Sequence, residues 1–129
     1  MRVAGLEAAD LVVIKVQPLS GVRRSLEVAD AAGLPAVVSS ALETSVGMAA
    51  GVSLAAALPD LPYACGLGTV SLLQRDVVSD PLLQVGGELE VRRPQVDESL
   101  LEACRPSREV AEEWMQRLHA AAEEAGIEL

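Results

Sequence analysis

Aromatic residues are almost missing from this chain: it has no Phe, and Trp114 and Tyr63 stand alone among 129 residues. Its core must therefore be built from Val, Leu and Ala. Basic residues are also scarce. Ten Lys plus Arg face nineteen Asp plus Glu, for a formal net charge of -9, which repels phosphate backbones and anionic membrane surfaces and argues against nucleic acid as a partner. The longest apolar run, Val46 to Leu58, is interrupted by Ser53 and falls short of the roughly 20 residues that span a bilayer, so no membrane helix is expected. The opening "MRVAGLEAAD" carries acids and lacks the basic-then-apolar order of a secretory signal. Cys65 and Cys104 have no metal-ligand spacing and read as reduced thiols in a cytoplasmic protein. No His, Cys or Asp cluster has the spacing of a metal site, and His119, the single histidine, reads as a surface residue.

What is present is a repeating plan. "DLVVIKV", Asp10 to Val16, is a continuous apolar run, as expected of a parallel strand covered on both faces. "GVRRSLEVADAAG" follows at helical spacing, with Gly33 placed to end the helix. "LPAVVSS" and "ETSVGMAAGVSLAAALP" repeat strand and helix, and "PYACGLGT" offers a third strand from Pro62. A single α/β domain with a parallel sheet follows from this alternation. Beyond Thr69 the pattern changes. Gly86-Gly87 predicts a β-turn, and Val110, Trp114, Met115, Leu118 and Ala122 predict an amphipathic helix over 108–125.

Chemistry-bearing residues gather where the strands end. "LPAVVSSALETSVG" places Ser39, Ser40, Glu43, Thr44 and Ser45 between an apolar strand and an apolar helix. Two readings stand. Ser40 and Glu43 fit a capping box, in which each side chain satisfies an amide at the other's end of the first turn. Alternatively, the helix N-terminus is an anion site, with free amides, a positive dipole end and serine hydroxyls to receive a carboxylate. Lys15 is the sole charged residue inside "LVVIKV". It reads either as a lysine reaching from a strand end into water, or as a cation aimed at developing negative charge or able to exchange protons. Gly66 and Gly68, at the third strand end, permit close backbone approach to a ligand. Lys15 and Ser39 do not make a serine hydrolase, because no G-x-S-x-G elbow is present.

Taken together, "LVVIKVQPLSGVRRSLEVADAAGLPAVVSSALETSVG" and "ALPDLPYACGLGT", with the "DVVSDPL" and "GGELEVRRP" tail, resemble the o-succinylbenzoate synthases, menaquinone-pathway dehydratases of the enolase superfamily. The resemblance implies a (β/α)7β barrel with a capping domain, of which this chain holds the sixth to eighth strands and the C-terminal tail. It implies removal of water from the cyclohexadiene carboxylate SHCHC through a Mg²⁺-stabilised enediolate. By the same resemblance Lys15 matches a sixth-strand lysine that stabilises the intermediate, Ser39 and Ser40 match seventh-strand serines near the succinyl carboxylate, and Gly66 matches an eighth-strand backbone contact. Glu43 and Gly68 belong to the same blocks. The family's second-strand K-x-K pair and its three carboxylate metal ligands have no counterpart here, and Ser20-Gly21 stands where the family reads Gly-Gly.

These residues define a partial barrel domain over 1–129, with the last βα units in 1–70 and the tail in 71–129. Its expected partners are a small-molecule carboxylate and the N-terminal part of the barrel, without which it is catalytically incomplete. Self-association through unfilled sheet edges is a further expectation. Two alternatives remain at this level: an N-acylamino-acid racemase-like enzyme using the same lysine as an acid/base, and a non-catalytic α/β domain that binds a carboxylate.

Overall fold

The computed structural model describes residues 4–129; the first three residues of the expected 1–129 domain, Met1 among them, lie outside the described residues. Strand β1, Val12–Ile14, pairs in parallel with β2, Ala36–Val38, in the register Val12 to Ala36 and Ile14 to Val38. Both are shorter than their apolar runs. β1 ends early because the Val16 carbonyl is taken by a turn, accepting from the amides of Leu19 (3.2 Å) and Gly21 (3.1 Å).

Helix α1, Val22–Ala32, returns the chain from β1 to β2. It stops at Gly33, whose left-handed φ of 62° lets its amide reach the Ala29 and Asp30 carbonyls, as the sequence anticipates. Helix α2, Ser45–Ala57, follows β2 and ends at Leu58, just before Pro59. Because α2 is made largely of small residues it can lie very close to the chain that follows. A Cβ on Gly51 would come within 2.9 Å of the Leu67 side chain.

The third strand requires a correction. The run from Pro62 contributes only one parallel rung, Ser39 opposite Gly66, with the Gly66 amide on the Val38 carbonyl (2.8 Å) and the Ser40 amide on the Gly66 carbonyl (2.9 Å). Pro62 has no amide to donate, and Tyr63 and Ala64 stay exposed. The parallel order β1, β2, third segment nevertheless holds.

Alternation along the strands sorts their side chains into two faces. Ile14, Val16, Ala36 and Val38 are buried against the helices, where Ala29, Met48, Val52 and Leu54 meet them and Leu67, Val70 and Leu82 complete the core. On the opposite face Val13 is 57 % exposed, while Val37, Lys15 and Ser39 are half-buried.

After a short 3-10 turn at Thr69–Leu72 the chain runs irregularly to the expected turn. Val85 and Glu88 exchange two backbone hydrogen bonds (3.0 and 3.1 Å), and Gly86 and Gly87 take φ of 62° and 85°, the positive values a tight two-residue hairpin needs. Two helices close the chain: α3, Glu98–Ala103, which the sequence reading does not anticipate, and α4, Arg108–Ala125, within the expected limits. The apolar stripe of α4 is not in the core. Val110, Trp114, Met115 and Leu118 are exposed, and of the helix only Ala122 is buried.

Candidate functional site at the strand ends

Lys15 is the residue after β1, and alternation sends it to the same face as Val13. Ser39 holds the matching position after β2. The parallel register therefore brings the two side chains together, and the Lys15 ammonium donates to Ser39 Oγ at 3.0 Å. It donates as well to the backbone carbonyl of Ser40. Gly66 lies on the far side of Ser39, so close that a Cβ there would stand 3.3 Å from Ser39 Oγ. Lys15, Ser39 and Gly66 thus occupy successive strand ends on one face. Two uncharged acceptors hold its ammonium, and the side chain is half-buried. Among the described residues it forms no ion pair.

Ser40 turns the other way and is buried. Its hydroxyl donates to the Gly66 carbonyl (3.0 Å) and accepts from Thr69 Oγ1 (3.0 Å), so the side chain ties strand ends together instead of facing the lysine's open side. Gly68 also points elsewhere: a Cβ on it would fall 2.0 Å from the Gln84 amide nitrogen, which donates to the Leu67 carbonyl (3.3 Å).

The expected capping box does not form. Helix α2 begins at Ser45, and neither Ser40 nor its own N-cap residue, Thr44, caps it. The chain takes an extra turn in which Leu42 adopts φ 68°, and Glu43 reaches back to the Ala41 amide (2.8 Å) instead of to Ser40. Its other oxygen, Oε2, is enclosed with no hydrogen-bond partner.

The cap comes from farther away, and it revises the expected anion site. Asp76 accepts from the Ser45 amide (3.1 and 3.2 Å) and from the Ser45 hydroxyl, and takes the Val77 amide at 2.7 Å. Ser45 Oγ in turn accepts from the Leu82 amide (2.8 Å). A carboxylate of the chain itself occupies the first amide of α2, at the end where a helix dipole favours negative charge. Sequence reasoning missed Asp76, because its partner lies 31 residues away and no local pattern couples them.

Among the described residues no group of three or more His, Cys, Asp or Glu side chains could hold a metal ion. The side chains present therefore do not fit a Mg²⁺ site. Both cysteines are free thiols, Cys65 half-buried and Cys104 exposed. No described helix is long and apolar enough to cross a membrane. A groove of about 870 Å³ runs between α2 and residues 91–96, and its lining does not include Lys15, Ser39 or Gly66.

Comparison with known proteins identifies the family and the fold. The family described as Enolase C-terminal domain-like matches residues 1–95. Over 121 residues the chain is 59 % identical to an o-succinylbenzoate synthase of Thermobifida fusca (strain YX), covering 94 % of this chain and 37 % of that protein. It is 42 % identical to an o-succinylbenzoate synthase of Mycobacterium tuberculosis (strain ATCC 25618 / H37Rv) over 93 % of this chain and 36 % of that one. In three dimensions it is similar to muconate lactonizing enzyme from Pseudomonas fluorescens complexed with muconolactone, with a TM-score of 0.72 and 25 % identity over 81 % of this chain and 30 % of that one. The chain therefore spans little more than a third of the length of the curated relatives it matches, and its fold corresponds to the C-terminal part of the barrel.

Proposed function

Because the chain belongs to the enolase C-terminal domain-like family, we propose that it is the C-terminal segment of an o-succinylbenzoate synthase, a hydro-lyase that dehydrates SHCHC to o-succinylbenzoate in menaquinone biosynthesis. The observation that carries this reading is the alignment of Lys15, Ser39 and Gly66 on one face of three adjacent strand ends, in a chain 59 % identical to an enzyme of that name.

In this mechanism the substrate carboxylate lies over the Lys15 face. A base outside this chain removes the α-proton, and negative charge grows on the substrate as the C–H bond breaks. The same group, now protonated, returns the proton to the departing hydroxyl, so that water leaves as the C–O bond breaks and the C=C bond forms. Lys15 is held stationary, because Ser39 Oγ and the Ser40 carbonyl each accept one of its N–H bonds. A cation fixed in advance stabilises charge that develops only in the transition state. At about 4 Å and an effective dielectric of ~20, two unit charges interact by about 4 kcal/mol. Ser39 Oγ donates only at 3.4 Å to the Ser40 carbonyl, a long contact that its hydroxyl exchanges for the succinyl carboxylate, and Gly66 lets the substrate approach the backbone. Mg²⁺ is the cofactor that the family implies. No set of side chains among the described residues fits it, so its ligands are assigned to the part of the longer relatives that the chain does not cover, and no step here depends on it.

The test is turnover of SHCHC by the chain joined to its upstream barrel strands. Lys15→Ala should lower kcat by roughly 10²–10³-fold, the range for loss of a preorganised electrostatic contact, with the far-UV circular dichroism unchanged. Undiminished turnover in the folded variant would remove Lys15 from the mechanism. Solvent deuterium entering a substrate α-carbon without dehydration would instead favour the racemase-like alternative.

A further inference from the structure

Thr69 is unused in that mechanism, yet it touches the residue that holds the lysine. Its Oγ1 donates to Ser40 Oγ (3.0 Å), Ser40 Oγ donates to the Gly66 carbonyl (3.0 Å), and the Ser40 amide donates to the same carbonyl (2.9 Å). The carbonyl of Ser40 accepts from Lys15. One residue therefore offers its side chain and amide to the third strand end and its carbonyl to the ammonium. Because Thr69 supplies a proton to Ser40 Oγ, the hydroxyl proton of Ser40 is directed toward Gly66, and the chain of hydrogen bonds has one direction. Ser40 is only 5 % exposed, so water cannot readily replace a lost partner there, and a buried hydroxyl without one is costly to keep in place.

We infer that Thr69 is a positioning residue for Lys15: through Ser40 it sets where the ammonium stands, without touching the substrate. The inference rests on the functional reading of Lys15 for its kinetic consequence, though not for its structural one. Small displacements of a catalytic group cost rate more than they cost binding, so the effect belongs in kcat.

The experiment uses the chain joined to its upstream barrel strands, with ¹⁵N-labelled lysine. Loss of one ammonium resonance in Lys15→Ala assigns the Lys15 signal. Thr69→Val should shift that resonance and lower kcat about tenfold with KM within about twofold, whereas Thr69→Ser, which keeps the hydroxyl, should restore both. Ser40→Ala breaks the same link from its other end and should shift the Lys15 signal too, which serves if Thr69→Val does not fold. A Lys15 resonance that stays in place when the link is broken overturns the inference. So does an equal loss in Thr69→Val and Thr69→Ser, since that marks a packing role for the methyl group. If the wild-type protein does not dehydrate SHCHC, the functional reading fails, and the resonance still decides the fate of Thr69.

Discussion

Helices α2 and α4 differ in a way that inverts the usual expectation. α2 has no clean polar face, only small and apolar residues with Ser45 and Ser53 among them, and it buries Ser45, Met48, Ala49, Gly51, Val52 and Leu54. α4 has the regular stripe of a surface helix packed on a core, yet leaves that stripe in solvent, with Trp114 61 % exposed and its ring beside the Arg117 guanidinium at 5.0 Å. The enolase C-terminal match ends at residue 95, before α3 and α4 begin, while the 121-residue similarity to the Thermobifida fusca protein runs on into α4. Periodicity thus specifies which side of a helix wants a partner, and the surrounding chain decides whether it has one.

The largest test of that contrast is a pair of truncations. Leu54→Ala empties a fully buried site in α2 and should destabilise the chain by about 2–5 kcal/mol, read as a lower urea midpoint at unchanged m. Trp114→Ala removes a larger side chain from α4 and should change stability by less than about 0.5 kcal/mol. Comparable losses at the two positions would mean that the α4 stripe is covered in solution.

Much of this division was legible in the residues. The limits of α1 and α4, the stop at Gly33, the Gly86-Gly87 turn and the meeting of Lys15 with Ser39 all follow from local spacing or from strand alternation. What escaped depends on partners remote in sequence. The third strand shrank to one rung, because an apolar run does not reveal that Pro62 and the exposed Tyr63 and Ala64 leave it little to pair. The capping box matched at Ser40 and Glu43, but a motif of four residues does not report the turn that Leu42 inserts before α2. The true cap, Asp76, sits beyond the third segment and becomes visible only once the chain has folded back.

Asp76 sharpens the comparison from the other side, since α2 takes its N-terminal partner from the tail while α4 is capped locally by Ser107 on the Val110 amide (3.3 Å). Asp76→Ala should cost about 2 kcal/mol, the scale of hydrogen bonds to a charged acceptor whose partners stay buried. Ser107→Ala should cost about 1 kcal/mol or less, as an exposed cap does. Thermal unfolding of the two variants orders them, and a smaller loss at Asp76 would show that it does not secure α2.

A gain is expected at Ser20. It stands at φ 64°, in the left-handed region that costs a non-glycine residue roughly 1 kcal/mol, where the resemblance leads one to expect glycine. Ser20→Gly relieves that strain but frees the unfolded chain, so a net stabilisation of about 0.5 kcal/mol should raise the melting temperature slightly. A lower melting temperature would show that the Ser20 side chain contributes more than its backbone costs.

The smallest effect belongs to the exposed end of the molecule and depends on pH. Asp97 caps α3, and the Ser99 hydroxyl (2.6 Å), followed by the Leu100 amide (3.2 Å), holds its carboxyl below the usual carboxylate range. A carboxylate depressed by folding stabilises fully above its unfolded pKa, about 3.9, and the contribution disappears as pH falls through the lower folded value. Amide exchange at Ser99 and Leu100 should therefore accelerate, relative to unstructured amides, as pH drops below about 4, while amides in α2 remain protected until the core itself opens. Asp97→Asn should remove the pH-dependent part and leave the rest. Loss of protection in α2 at the same pH as in α3 would mean that the exposed end and the packed βα units unfold together.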